Sequence, residues 1–276
     1  MSTHSPLAIE ASGLVKSFGD NTAVDGVDRV RVSYLQPAEM RPTLITAMAS
    51  TPGVVPYFDL SFQHASAGVL RRMRRSYRSA RYLGWLERIR EAVPGITVST
   101  DVIVGFCAET EAQFERTLRL LETVRYDQVF AAAYSPRPGT PAMRLPDDVP
   151  PDVKRRRLNE LLALQEAIGL ARNEAWLGRD VDVLVDTITP PRSHDHDGQT
   201  AIAGHARDVH LSGRTRGNKL VHLVGRATDL GRDVPVRIDH AGPYALRGAI
   251  ASAATWKTHA PSATSMPTAN HLERKS

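Results

Sequence analysis

Two rhythms of apolar and polar positions run along this chain, and one gives way to the other at Gly178. Before that glycine, short strand-like runs take turns with segments of helical period. Residues 29–34 (RVRVSY) and 56–62 (PYFDLSF) alternate as strands do, and 96–106 (ITVSTDVIVGF) has the β-branched content of a buried strand. Residues 128–135 (QVFAAAYS) supply one more. Between these runs, Pro42 stands where a first helical turn tolerates it, ahead of TLITAMAS. ASAGVLRRMRRSY and ARYLGWLERIREAV read as one broken helix or two consecutive ones, with Leu83, Leu86, Ile89 and Val93 at helical spacing. A further helix starts near Thr110, where Gln113 three residues on completes a capping box, and Phe114, Leu118, Leu121 and Val124 mark its inward stripe. The turn-rich PRPGTPAMRLPDDVPP then leads into a long helix from about Asp152 to Leu177.

Strands separated by helices predict an α/β fold, a parallel sheet with helices outside it, either open or part of a barrel. Sites in such folds lie at the carboxyl ends of the strands. That rule puts Gln63, His64, Gly105, Phe106, Tyr134 and Ser135 on one rim. After Gly178, DVDVLVDTI, TAIAGHARD, NKLVHLVGR and DVPVRIDHA are short strands with turn signals between them. They predict a small all-β unit, a five-stranded barrel of OB type. The stretch from Ala251 onward has no periodicity and reads as disordered.

Composition narrows the function classes. With 276 residues, 42% of them hydrophobic, there is material for one large domain and a small one. No apolar run approaches the roughly 18–20 residues that span a bilayer, and MSTHSPLAIE lacks the apolar centre of a signal peptide. A single cysteine allows no internal disulfide, which fits a reducing cytoplasm. The formal charge of +5 points to a polyanionic partner.

Several residues carry candidate chemistry. Arg71, Arg72, Arg74 and Arg75 alternate around a helix, mostly as a solvated face, with one or two placed to reach a phosphate or carboxylate. SHDHDG (193–198) has metal-ligating residue types but no partner pair elsewhere, so it reads as a plain loop. In SGRTRGNKLVHL, Arg214, Arg216 and Lys219 fall in a hairpin turn on a fold type that binds nucleic acid, where exposed charges suit RNA phosphates. Gln63 and Ser66 end a strand, Ser66 as a helix N-cap. Glu109 and Glu111 suit either a ligand's amino or hydroxyl groups or the positive end of a helix dipole; the dipole accounts for Glu111, and Glu109, nearer the turn, is the better ligand candidate.

The ordered motifs YFDLSFQHAS, RRMRRSY, STDVIVGFCAETE, YSPRPGTPA and LSGRTRGNKLVHL together resemble the radical S-adenosylmethionine (SAM) methylthiotransferases over roughly residues 29–250. The first of them is similar to the branch acting on a ribosomal protein, whereas RRSYRSARYLGWLERIR, YSPRPGTPA and SGRTRGNKLVHL are similar to the branch acting on a tRNA adenosine, the reading preferred here. The resemblance implies a partial parallel (β/α) radical SAM barrel over 29–177 followed by a TRAM domain, an OB-like RNA-binding barrel, over 178–250, with a tail over 251–276. It implies S-adenosylmethionine and a 4Fe-4S cluster as cofactors, and tRNA or another RNA as partner. It places Gln63, Ser66, Glu109, Tyr134 and Ser135 near the S-adenosylmethionine pocket.

The CxxxCxxC motif that holds the cluster has no counterpart here, since one cysteine cannot supply three thiolates. Cys107 stands where the family loop, GFPGETE, has proline, and Ala108 where it has glycine; Cys107 therefore reads as an inert small residue. The expectation is a chain without catalytic or metal-binding residues of its own. The first 28 residues resemble the opening strands of an ABC-transporter ATPase, with Phe18 at the adenine-stacking position, but no GxxxxGK[ST] follows. A barrel short of its first strands leaves the RVRVSY edge open to self-association, unless the leader covers it.

Overall fold

In the computed structural model the described residues are 15–18, 21–25 and 29–251, apart from 52, 76, 78 and 190–207. An antiparallel hairpin of β1 (Val15–Phe18) and β2 (Asn21–Asp25) forms a sheet of its own and pairs with no strand of the parallel sheet. Next comes α1 (Pro42–Ser50), with Pro42 in its first turn. It is followed by β3 (Tyr57–Asp59), α2 (Ala67–Arg72), α3 (Ser79–Ala92), β4 (Thr97–Val104), α4 (Glu111–Val124), β5 (Gln128–Ala133) and α5 (Pro151–Glu174). The three strands are parallel, in the order β3-β4-β5. Residues 193–198, and the tail beyond 251, lie outside the described residues.

The stretch 29–34 does not form the expected strand. It makes single parallel bridges only, Val30 to Val54 and, just beyond it, Leu35 to Leu60. The reason is Tyr34, which sits at φ 61° and donates its N–H to Asp59 Oδ2 at 3.1 Å. A left-handed residue turns the chain out of a ladder, and the side chain takes a bond that a neighbouring carbonyl would otherwise receive. Arg74, at φ 57°, similarly stands between α2 and α3, so that region is two helices rather than one.

Elsewhere the apolar pattern sorts residues as expected. β4 is buried along nearly its whole length, as a central strand covered on both faces should be. Phe114, Leu121 and Val124 of α4 are buried and Leu118 partly so. At the start of α4, Gln113 Oε1 accepts the Thr110 N–H at 3.1 Å. From α3, Tyr82, Trp85, Leu86 and Ile89 enter the core, where Tyr82 meets Phe62 at a ring-centroid distance of 4.4 Å.

Past Gly178 (φ 72°), β6 (Asp180–Thr189), β7 (Asp208–Thr215), β8 (Leu220–Arg226), β9 (Asp233–Ala241) and β10 (Leu246–Ile250) close a five-stranded barrel in the order β10-β8-β7-β6-β9. Val183, Val185, Leu211, Val221, Leu223, Val236 and Ile238 fill it. Two details differ from expectation. The strand assigned to TAIAGHARD falls outside the described residues save Asp208, and β7 runs through DVHLSGRT instead. β10 is too short and glycine-interrupted to show a period in sequence; Gly248 there passes so close to the Arg237 carbonyl that a Cβ would stand 2.2 Å from it.

Candidate ligand site at the carboxyl ends of the strands

β3, β4 and β5 point their carboxyl ends at one cavity of about 450 Å³. Gln63 enters it from beyond β3, Ile103 and Phe106 from the end of β4, and Ala132, Ala133, Tyr134 and Ser135 from the end of β5. The turn after α2 adds Met73, Arg74 and Arg75, and the loop after β5 adds Arg137, Thr140, Pro141 and Ala142. Three of the five residues placed at a cofactor pocket, Gln63, Tyr134 and Ser135, therefore line one cavity. Gln63 is held at φ 66°, and its Oε1 accepts Arg75 Nε–H at 2.7 Å. Tyr134 meets Phe106 edge-on at 4.7 Å, with Lys154 Nζ 5.2 Å from its ring centre. Burial, then the adjacent Cys107 and Asp147, push the Tyr134 hydroxyl pKa upward.

Glu109 and Ser66 do not face the cavity. Glu109 is buried, and both of its oxygens are spoken for. Oε1 receives His64 Nε2–H at 2.8 Å; Oε2 receives the Gly105 N–H and Arg157 Nη1–H, the latter at 3.1 Å. Because the Ser66 N–H can only donate, and does so to His64 Nδ1 at 2.9 Å, the imidazole carries its proton on Nε2. The carboxylate thus ties the turn after β4 to α5, and it is buried away from the cavity lining. Ser66 precedes α2 and is buried, so it shapes the turn behind the wall. Glu111, at the surface, is held below its usual range by Arg156, with burial opposing and Arg157 assisting.

Cys107 is buried against Val69 and Phe106. Arg72 clamps the same loop, donating Nε–H to the Cys107 carbonyl at 2.9 Å and Nη2–H to that of Ala108 at 3.0 Å. Arginine 72 is therefore committed to the backbone, whereas Arg74 and Arg137 have no ion pair or side-chain hydrogen bond among the described residues. Lys154 and Arg157, buried on α5, were invisible in the sequence because they sit within the highly charged VKRRRLNE run.

The hairpin of β7 and β8 is not the exposed hook expected of it. Its tip lies against the amino ends of β4 and β5, so close that a Cβ on Gly217 would stand 2.7 Å from Thr97 Oγ1. Lys219 is buried, with Nζ 2.8 Å from both Asp127 Oδ1 and Asn173 Oδ1. This is a correction: the ammonium serves a junction between the two units and cannot reach an RNA phosphate. Arg214 is half-buried and turned back onto the Asn218 carbonyl at 3.2 Å. Only Arg216 of the three is exposed. Asp127 also takes a two-pronged bond from Arg172, both contacts 2.8 Å, and the Val98 N–H at 3.0 Å. Burial works to raise the Asp127 pKa, but Lys219 and Arg172 together outweigh it and hold the carboxyl below its ordinary range.

Residues 22–121 match the family model described as the radical SAM superfamily. The chain is 42% identical over 225 residues to the tRNA-2-methylthio-N(6)-dimethylallyladenosine synthase of Acidothermus cellulolyticus, covering 81% of this chain and 42% of that protein. It is 40% identical over 240 residues to the protein of the same name from Thermobifida fusca, covering 85% and 45%. The chain thus spans less than half the length of these curated relatives. Among solved structures, coproporphyrinogen III oxidase (HemN) of Escherichia coli, a radical SAM enzyme, aligns over 70% of this chain and 50% of its own at 16% identity, TM-score 0.45.

A radical SAM protein implies S-adenosylmethionine and a 4Fe-4S cluster. The cluster does not fit the donors present: the sequence has one cysteine, buried in apolar contacts, and no metal-holding group of three His, Cys, Asp or Glu occurs among the described residues. The cavity does fit S-adenosylmethionine in size, with Gln63, Tyr134 and Ser135 as its polar wall. Motif order, the matched family model and the identity over four-fifths of the chain agree: the chain is similar to the radical SAM methylthiotransferases over a part of their length.

Proposed function

We propose that the chain serves tRNA modification, methylthiolation of an adenosine, as the portion of a methylthiotransferase that holds part of the S-adenosylmethionine pocket and an RNA-binding barrel. The observation that carries this is the identity of about two residues in five to tRNA-modifying relatives over four-fifths of the chain. The names of those relatives favour tRNA over a ribosomal protein as substrate. In this reading Gln63, Tyr134 and Ser135 contact S-adenosylmethionine, and Ser66 and Glu109 position the turn behind it. The five-stranded barrel over 178–250 acts as the TRAM domain, and residues 29–177 as the radical SAM portion.

By itself the chain is catalytically inactive, since radical generation needs three thiolates that its residues do not supply. Two measurements test the reading. Purified chain titrated with tRNA at low and high salt should bind, more weakly as salt rises; absence of salt-sensitive binding overturns the RNA role. Anaerobic iron–sulfide reconstitution should leave no cluster absorbance, and an appearing cluster band would overturn the claim of inactivity.

A further inference from the structure

On the barrel, strand register decides which side chains share the outer face. Arg247 of β10 is paired with His222 of β8 on one side and His240 of β9 on the other, and all three are exposed. Neighbouring strands lie about 4.8 Å apart, so this row of side chains spans roughly 10 Å. In the next outward register of β8, exposed Val224 is paired with exposed His210 of β7. Of the four described histidines, His64 is buried and the other three stand on this face. Those three form no side-chain hydrogen bond or ion pair among the described residues. Acid is sparse around the row. Asp239 offsets Arg247 loosely, 3.6 Å away with both side chains well exposed, and Asp180 engages Arg237 at 3.1 Å. Asp208 lies opposite Arg226 at the end of the β7–β8 ladder. The remaining cross-strand neighbours, Ser212 beside His222 and Thr189 beside His210, are uncharged. Histidine is the side chain that gains charge between about pH 8 and 5, so acid adds an imidazolium on either side of Arg247.

We propose that the barrel docks RNA on this face, with Arg247 on one backbone phosphate and protonated His222 and His240 on its neighbours, so that the grip tightens in acid. The inference rests on the reading that the chain serves RNA, and adds to it a surface and a pH dependence. Charge complementarity argues for that occupant: phosphates repeat along an RNA strand as these cations repeat across the sheet. Protonation also turns each imidazole from a single donor into a double one, which suits an acceptor-only partner. Val224, half-exposed beside the row, offers apolar contact to a base. The tip of the β7–β8 hairpin offers no comparable row, since Lys219 is buried in the junction and Arg214 is turned back onto Asn218.

The test is a fluorescence-anisotropy titration of the full chain with unfractionated tRNA, over about 50–200 mM salt and at about pH 8 and about pH 5.5. The slope of log affinity against log salt should be steeper in acid by about 1–2. His222→Gln and His240→Gln should each remove about 0.7–0.9 of that increase. Arg247→Gln should flatten the slope by a like amount at both pH values. Arg119→Gln, on the exposed side of α4, should change neither slope. Circular dichroism at both pH values would confirm that the variants are folded, and none of the substituted residues belongs to a core. Equal slopes at the two pH values, an acid increase that both histidine variants keep, or wild-type binding by Arg247→Gln would each overturn the proposal. Poly-glutamate bound in acid as tightly as tRNA would overturn it too, by making the partner an acidic polypeptide. If tRNA binds at neither pH, the RNA reading falls and this face with it. Salt-sensitive tRNA binding that survives all three substitutions overturns the face alone.

Discussion

At the amino ends of β4 and β5, Lys219 and Arg172 converge on Asp127; at the carboxyl ends of the same sheet, Arg74 and Arg137 border a cavity with no acid in its lining. The two regions have similar positive charge and opposite accounts of it. In the junction each of these side chains has a partner: Lys219 on Asp127 and Asn173, Arg172 doubly on Asp127, and Asn173 Nδ2 on the Gly242 carbonyl at 2.7 Å. Such a network holds two units in one orientation, because separating them strands charges that are buried. On the rim the guanidinium groups remain solvated and uncommitted, the state that leaves affinity for a ligand. Basic residues in a sequence announce neither role; the location of the nearest carboxylate decides it.

The comparison breaks most sharply at Asp127. Asp127→Ala leaves Lys219 and Arg172 without their shared anion, and the expected loss is about 3–5 kcal/mol of unfolding free energy, read from urea titrations. Arg137→Gln on the rim should change stability by less than about 0.5 kcal/mol in the same assay. Equal effects would mean that the junction is no more coupled than the surface. Acid offers a second route. The folded-state pKa of Asp127 lies below its unfolded value, so its contribution is present above about pH 4 and fades as pH falls through the folded value. The acid limb of wild-type stability should therefore be steeper than that of Asp127→Asn, and superimposable limbs would remove Asp127 as its source.

Packing at the junction gives a smaller and purely steric effect. Gly169 of α5 runs so close to the loop before β10 that a Cβ would lie 2.5 Å from the Pro243 carbonyl oxygen. Gly169→Ala has no flexible side chain to displace, and we expect a cost of about 1–3 kcal/mol. Gly84→Ala, on α3 with open space around its would-be Cβ, is the matched control and should stabilise by several tenths to about 1 kcal/mol. Thermal melts of the pair would decide whether α5 and the barrel touch as tightly as the geometry says.

The elements that could be read in advance are those whose cause is local. β4 shows in its β-branched run, α4 in Thr110 and Gln113, and the end of α5 in the nearby Gly178. The rim followed from topology, and Gln63, Tyr134 and Ser135 indeed line one cavity. What could not be read has causes that lie far along the chain. Residues 29–34 carry a strand's pattern, yet Tyr34 bonds to Asp59 and leaves the ladder. Glu109 looks like a free acid until His64 and Arg157 are brought against it, and Lys219 looks like a surface cation until Asp127 arrives from another unit. Partnership of buried charges is a tertiary fact, without periodicity to betray it.

The smallest effect concerns the loop after β4, beside the cavity rim. Ala108 adopts φ 57°, where a side chain costs about 1–2 kcal/mol and glycine costs nothing. The loop nevertheless keeps its shape: Arg72 holds the carbonyls of Cys107 and Ala108, and the Ala108 N–H reaches Asp148 Oδ1 at 2.6 Å. Ala108→Gly should relieve the strain and return part of it as unfolded-state entropy, for a net gain of about 0.5–1 kcal/mol. S-adenosylmethionine binding should be unaltered, since Ala108 does not line the cavity. Destabilisation by glycine, seen as a lower urea midpoint at constant slope, would mean that the bonds from Arg72 and Asp148 fix the turn less firmly than the strain implies, and that alanine's stiffness was holding the loop in place.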